Sequence, residues 1–296
     1  MRKLVCGLVL ALLSCAAQAQ FPAKPIRVVV PFPAGSATDT VGRVLAAAVS
    51  QAIGQPVVVE NKAGADGAIA AAEVAKSPAD GYTLLLATNS PLSAVPAMKK
   101  VPPYDPVADF TPITDVGRYT FFIVVHPDVP ARSLDEFIAY ARANPGKLNY
   151  ATGNTSGIVS TAFFVAQAQI KLVHVPYKGE PQALTDLVAG RVQVMFCSSG
   201  TSLPMIREGR LRALVTTLPR RSASLPEVPT IAEAGMPQFS ITSWAGLFGP
   251  AKMPRPVVER LNREFVAAMA RADVQAAMEK QGFALSPSSP ERLADL

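Results

Sequence analysis

The sequence predicts an α/β protein, of two lobes or one large domain, on three observations. Short apolar, β-branched runs alternate with segments of helical periodicity. The alternation comes in two series, separated by a long apolar-rich stretch over residues 111–126. In each series one strand runs directly into a helix through a loop of glycine and hydroxyl residues.

Residues 1–19 read as a secretory signal, with Arg2 and Lys3 ahead of a short apolar core over 5–13 and a small-x-small cleavage site at Ala17-Gln18-Ala19. That core is shorter than the roughly 20 residues a bilayer span needs. Leu12-Leu13-Ser14-Cys15 weakly resembles a lipoprotein box, which Leu13 fits poorly, so cleavage after Ala19 is expected over lipid anchoring at Cys15. Cleavage would remove Cys6 and Cys15 and leave Cys197 alone, so the mature chain is expected to have no intrachain disulfide and to rely on its core.

The first series has strands expected at residues 26–30, 56–60 and 83–87, with helices at 36–53 and 67–76 between them. Val28, Val29 and Val30 suit a strand buried on both faces; Pro31, Pro33 and Gly35 break it. Ser36 with Asp39 three residues on is a capping-box-like helix start. Val41, Val44, Leu45, Ala48, Val49, Ala52 and Ile53 then share one helical stripe. A helix N-terminus at a strand end offers unpaired N–H groups and the positive end of a dipole, ready for an anion. The same pattern also describes an ordinary β-α turn that binds nothing. Asp80-Gly81 reads as a plain turn.

Gly117 interrupts the stretch over 111–126, where the chain is expected to pass to the other lobe. A second βαβ series follows, with strands at 121–125, 147–151, 172–175 and 192–196 and helices at 134–143, 156–169 and 180–189. Another strand falls at 211–216, one more at 241–248, and helices over 255–281 return to complete the first lobe. The expected division is residues 20–120 with 215–296 in one lobe and 121–214 in the other.

Two further loops share the design of the first. Ala151-Thr152-Gly153-Asn154-Thr155-Ser156-Gly157 ends a strand and opens a helix; Thr88-Asn89-Ser90 ends the third strand. In open α/β sheets the ligand crevice lies beyond the carboxyl ends of the strands. Each loop alone is equally a capped helix or a polar turn; two anion-ready helix starts, one per lobe, point to a shared cleft.

Other chemistries lack their residues. Only His126 and His174 are present, far apart, so no metal site is expected; His174 is expected to be a satisfied, partly buried imidazole. No nucleophile elbow, Walker loop or dinucleotide fingerprint occurs, so neither an enzyme nor a cofactor is expected. The net charge is +6, to which Arg2 and Lys3 contribute two, and the only basic cluster is Arg220-Arg221, so no nucleic-acid surface is expected.

A set of segments, in order along the chain, carries a resemblance. They are Lys24-Pro25-Ile26-Arg27-Val28-Val29-Val30-Pro31-Phe32, Val58-Val59-Glu60-Asn61-Lys62, Ala79-Asp80-Gly81-Tyr82-Thr83-Leu84-Leu85, Lys147-Leu148-Asn149-Tyr150-Ala151, His174-Val175-Pro176-Tyr177-Lys178-Gly179, Leu211-Arg212-Ala213-Leu214 and Leu225-Pro226-Glu227-Val228-Pro229-Thr230. The last continues through Ile231-Ala232-Glu233-Ala234-Gly235. Together they resemble the substrate-binding receptors of tripartite tricarboxylate transporters, the Bug family.

The resemblance implies a type II periplasmic binding protein fold, with two α/β lobes closing on a ligand cleft. It implies a monomeric periplasmic receptor that binds a small carboxylate (a di- or tricarboxylate, an amino acid or an aromatic acid) and hands it to membrane permease subunits. The carboxylate would be held by backbone N–H groups, hydroxyls and bridging waters. By position, the resemblance assigns Phe32, Ala34, Gly35, Ser36, Thr38, Asp39, Asn89 and Ser90 from the first lobe. From the second it assigns Thr152, Asn154, Thr155, Ser156, Tyr177, Lys178, Gly179, Cys197 and Ser198. Trp244 is expected in core or hinge packing. Alternatives are a sensor subunit reporting to a membrane kinase and, from another class, a secreted hydrolase or isomerase.

The chain departs from the family pattern in several places. Ala34-Gly35-Ser36 replaces Pro-Gly-Gly, the loop before Ile158 is shorter, Ile158 stands where His is frequent, and Cys197 stands where Asp is common. A less polar pocket, suited to a less charged or more apolar acid, is the expectation. Relatives are expected to continue past the position of Leu296 into a further helix that would cover first-lobe core.

Overall fold

In this computed structural model the structure describes residues 21–239, 241 and 243–296. The expected signal segment, with Ala19 and Cys15, lies outside them.

The chain begins with β1 (Ile26–Val30), α1 (Ala37–Ile53), β2 (Val57–Asn61), α2 (Ala68–Ala75) and β3 (Thr83–Thr88), then a short α3 (Val95–Met98). Long β4 (Phe110–Tyr119) leads through Thr120 into β5 (Phe121–Val125). There follow α4 (Leu134–Ala143), β6 (Asn149–Thr152), α5 (Thr155–Ala168), β7 (Val173–Pro176), α6 (Glu180–Val188), β8 (Val194–Ser198), α7 (Ser199–Arg207) and β9 (Arg212–Thr216). The chain closes with β10 (Ser243–Pro250), α8 (Arg255–Met269), α9 (Ala272–Lys280), β11 (Phe283–Leu285) and α10 (Pro290–Ala294).

These strands make two sheets, ordered β11-β4-β10-β3-β1-β2 and β7-β6-β8-β5-β9. The period-two alternation of side chains decides which core each residue joins. Val28 and Val30 of β1, with Leu84 and Leu86 of β3, pack under α1, α8 and α9; Val29, Leu85 and Ala87 face α2 and α10. In the second sheet Ile123, Val125, Val194 and Phe196 face α4 and α5, and Phe122, Val124, Met195 and Cys197 face α6 and α7. Both sheets are thus covered on both faces, which is why their strands read as unbroken apolar runs.

α1 shows how the sequence sets a helix. Ser36 caps its start, Gly54 ends it in the left-handed region at φ 68°, and Val41, Leu45, Ala48 and Val49 are buried. Each buried Leu or Val on that stripe contributes about 1.5–3 kcal/mol. Ala52, expected on the stripe, is exposed at the last turn, where the helix outruns the sheet.

Both sheets are mixed rather than parallel throughout. β1 pairs parallel with β2 and β3, and β6 parallel with β7 and β8, as expected for βαβ units. β10 is antiparallel to β3 and β4, and β5 is antiparallel to β8 and β9. The reason is that the crossing strands enter each sheet from the other lobe. The outward crossing falls at Thr120, beyond Gly117, which lies inside β4 against the backbone of Ala284. The return crossing falls later than residue 215: β9 pairs with β5, Thr216 bridges Thr230, and Leu225, Val228, Ile231 and Phe239 pack into the second lobe. The chain rejoins the first sheet at β10.

Candidate functional site

The cleft lies where strands of both sheets run out. Thr88 ends β3, Tyr119 ends β4 and Ser243 begins antiparallel β10, so all three sit at one edge of the first sheet. Phe121 begins β5 opposite Ser198 at the end of β8, at the facing edge of the second. These residues, with Phe32, Ser36, Ala37, Thr38, Ser90, Gly153, Asn154, Ser156 and Glu180, enclose a cavity of about 30 Å³ between the lobes.

The first-lobe wall is the start of α1. Gly35 turns the chain at φ 80°, a conformation that favours glycine. Ser36 Oγ accepts from the Asp39 N–H at 3.2 Å. Asp39 reaches one residue behind the cap, its carboxylate accepting from the Gly35 N–H at 2.9 Å. Asn61 Nδ2 donates to Asp39 Oδ1 at 2.9 Å and to the Phe32 carbonyl at 3.0 Å, and Arg43 Nε donates to Asp39 Oδ2 at 3.1 Å. Burial opposes the charge on Asp39, but the Arg43, Gly35 and Asn61 hydrogen bonds outweigh it and hold the carboxyl below its usual range. Asp39 therefore braces the turn from behind rather than facing the cleft. Thr38 does face it, and its hydroxyl accepts from Tyr119 at 2.9 Å; burial pushes the Tyr119 phenol well up, so it stays a neutral donor.

The second-lobe wall is the start of α5. Asn154 caps it, Oδ1 accepting from the Gly157 N–H at 2.8 Å. Gly153 lies so close to Gly179 and Glu180 that a Cβ there would run into the Glu180 backbone nitrogen, so only glycine fits. The two walls touch. Ser156 N–H donates to Ser90 Oγ at 3.1 Å and the two hydroxyls lie 3.0 Å apart, which joins the lobes directly.

The structure thus brings Phe32, Ser36, Thr38, Ser90, Asn154, Ser156 and Ser198 to the cavity, and leaves other expected residues out of its wall. Ala34 and Gly35 are exposed on the outside of the turn. Asn89 Oδ1 accepts from Ser243 Oγ at 2.9 Å and so anchors β3 to β10. Thr152 is 2.7 Å from His174 Nε2, which also stacks on Tyr150; His174 is exposed but partnered. Thr155 is buried beneath the helix start. Tyr177 and Lys178 follow β7, an edge strand, and neither is in the cavity wall; Lys178 is exposed, and the Tyr177 hydroxyl donates to Asp186 at 2.7 Å. Gly179 meets Pro33 across the cleft mouth instead of lining the cavity. Cys197 alternates away from Ser198 into the core under α6 and α7, where burial pushes its thiol well up. Trp244 is half-buried against the core under α2, as packing rather than site.

Sequence reasoning missed Tyr119, Phe121, Ser243 and Glu180. The strand alternation around Thr120 could have placed Tyr119 and Phe121 on one face. Glu180, the first residue of α6, directly after Gly179, could have been taken as an acid at a helix start. Ser243 carries no local signal, because only strand order brings β10 to the cleft.

Two α/β lobes, crossed by extended strands and closing on a cleft of helix starts and hydroxyls, define a solute-binding receptor of the periplasmic binding protein class. The chain belongs to the tripartite tricarboxylate transporter family of receptors, whose family model matches residues 41–294. Protein BugT of Bordetella pertussis (strain Tohama I) is 36% identical over 275 residues, covering 92% of this chain and 84% of BugT. The structure of R. palustris Rpa4515 with adipate superposes with a TM-score of 0.90 at 33% identity, covering 93% of each chain. MatC from Rhodopseudomonas palustris with bound malate superposes with a TM-score of 0.88 at 32% identity, covering 93% of this chain and 95% of MatC. The family consists of transporter receptors, not enzymes.

Proposed function

We propose that this protein captures a small carboxylate between its lobes in the periplasm and delivers it to a tripartite tricarboxylate-type membrane permease. One observation carries this reading: the starts of α1 and α5, one from each lobe, meet at a single cavity ringed by hydroxyls. Each presents N–H groups and a dipole end that favour an anion, and neither needs an arginine. The cross-lobe contact between Ser90 and Ser156 forms only when the lobes are together, so ligand contacts and closure support one another. Two relatives seen with adipate and malate are compatible with a carboxylate ligand. Release of a leader after Ala19 would deliver a monomeric receptor to the periplasm.

A thermal-shift screen over dicarboxylates, tricarboxylates, aromatic acids and amino acids tests the reading. A ligand at about 100 times its Kd stabilises the fold by about 2.7 kcal/mol. A well-folded protein whose melting temperature no acid raises would overturn it. Co-purification with permease subunits, rather than with exported sensor domains, tests the partner.

A further inference from the structure

Among the described residues Glu180 is the only carboxyl in the wall of the cleft, and no Lys, Arg or His of theirs lines it. Its side chain is well buried, with the residue 8% exposed. Among the described residues no cation pairs with it. Oε1 accepts from the Ser198 N–H at 2.5 Å and the Thr201 hydroxyl at 2.8 Å, and Oε2 accepts from the Ser198 hydroxyl at 2.8 Å. A carboxylate has about four lone-pair sites, so one site on Oε2 is left over. Burying an acid without a cation is costly. Capping α7 would explain the three donors, but an uncharged Ser or Thr at the cap does that work without the cost.

The surroundings of Glu180 suit a cation. Tyr119 and Phe121 line the same cavity, their rings 6.3 Å apart and edge-on to one another, and neither brings a positive charge to it. Ser36 and Asn154, at the starts of α1 and α5, supply the anion-ready part of the wall. The cleft is therefore polarised, with helix N-termini for an anion and an unbalanced carboxylate for a cation. A plain dicarboxylate would bring a second negative charge into the same small cavity as Glu180. An acid that also carries an ammonium group satisfies both features at once.

From this we infer that the cleft selects an α-amino acid or a similar zwitterion, with its carboxylate at the helix starts and its ammonium on Glu180. The inference rests on the carboxylate-receptor reading above and narrows its substrate class. Burial outweighs the Ser198 and Thr201 hydrogen bonds and holds the Glu180 carboxyl above its usual range; a bound ammonium would pull it back down and favour the charged form.

Titration calorimetry with matched pairs tests it: L-aspartate against succinate, L-glutamate against glutarate, and L-phenylalanine against 3-phenylpropionate. In at least one pair the amino acid is expected to bind the wild-type protein at least about tenfold tighter. Glu180→Gln is expected to cut that preference by about 10- to 100-fold, the usual range for a hydrogen bond to a charged group. The wild-type ratios stand by themselves should the variant fail to fold. If the deaminated acid binds tighter wherever either member binds, or if Glu180→Gln folds and leaves the ratio unchanged, the inference is overturned and the receptor reading stands. If only tricarboxylates bind, the outcome is the same. If no acid binds at all, both fall.

Discussion

Gly179→Ser is expected to weaken ligand binding while leaving the unliganded fold at least as stable as the wild type. Gly179 caps α6 with φ −177° and ψ 165°, extended backbone that any residue adopts. Serine is a better N-cap than glycine, so nothing within the second lobe is lost. The added Cβ, however, would lie 2.6 Å from Cγ and 2.7 Å from Cδ of Pro33, which belongs to the first lobe. Carbon atoms pack best at about 3.5–4.0 Å, so the lobes must part locally by about 1 Å. The Pro33 ring cannot swing aside as a long side chain would, because its carbonyl accepts from the Ser36 N–H at 3.2 Å in the turn that starts α1. Overpacking of this kind costs about 1–3 kcal/mol. Since the clash exists only with the lobes together, the whole cost falls on closure, and affinity should drop about 5- to 150-fold. Calorimetric titration with an acid found in the thermal-shift screen measures the affinity, and melting of the ligand-free protein measures the fold. An unchanged affinity, or a loss of ligand-free stability that accounts for the change, would refute the assignment of this contact to closure.

Ser90→Ala removes the cross-lobe hydrogen bond from Ser156 and the paired hydroxyl contact; about 1 kcal/mol for each predicts about 5- to 30-fold weaker binding in the same titration, with little change in melting of the ligand-free protein. Asp39→Asn breaks the brace behind the α1 turn and should cost about 1–3 kcal/mol of stability, read by urea denaturation. The folded Asp39 carboxyl titrates below its unfolded value of about 3.9, so its contribution is present above that pH and lost as pH falls through the folded value. The gap between wild type and Asp39→Asn should therefore be widest at neutral pH and shrink under acid; a gap that grows on acidification would contradict the brace. Cys197 is fully buried with its thiol pushed up, so alkylation followed by peptide mapping should find it unmodified in the native protein and modified after denaturation; labelling in the native state would show that this core opens.

Much of the local structure was legible because it depends on neighbours in the chain. The β1 strand, the Ser36 cap and most of the α1 stripe are set by short-range sterics and hydrogen bonding, and they stand where the sequence places them; Ala52 alone of that stripe is exposed. Half of the cleft was equally legible. Ser36, Ser90, Asn154 and Ser156 sit in loops whose composition advertises donors. The expected residues that stand outside the cavity wall share a different cause. Cys197 and Ser198 are adjacent, and strand alternation puts one in the core and the other at the cleft. Tyr177 and Lys178 follow an edge strand that leaves them outside.

By itself, then, the sequence determined two α/β series, their strand cores and two capped helix starts able to favour an anion. Only the tertiary structure decided that these starts share one cavity, that Tyr119 and Ser243 come to its edge, and that Asp39 works from behind its turn. It also decided that Glu180 stands in that cavity with no cation paired to it among the described residues. The division has a physical cause. Propensity, capping and periodicity act over a few residues, whereas a cleft between lobes is made by strand order, and antiparallel β5 and β10 bring together residues more than a hundred positions apart, such as Ser243 and Tyr119.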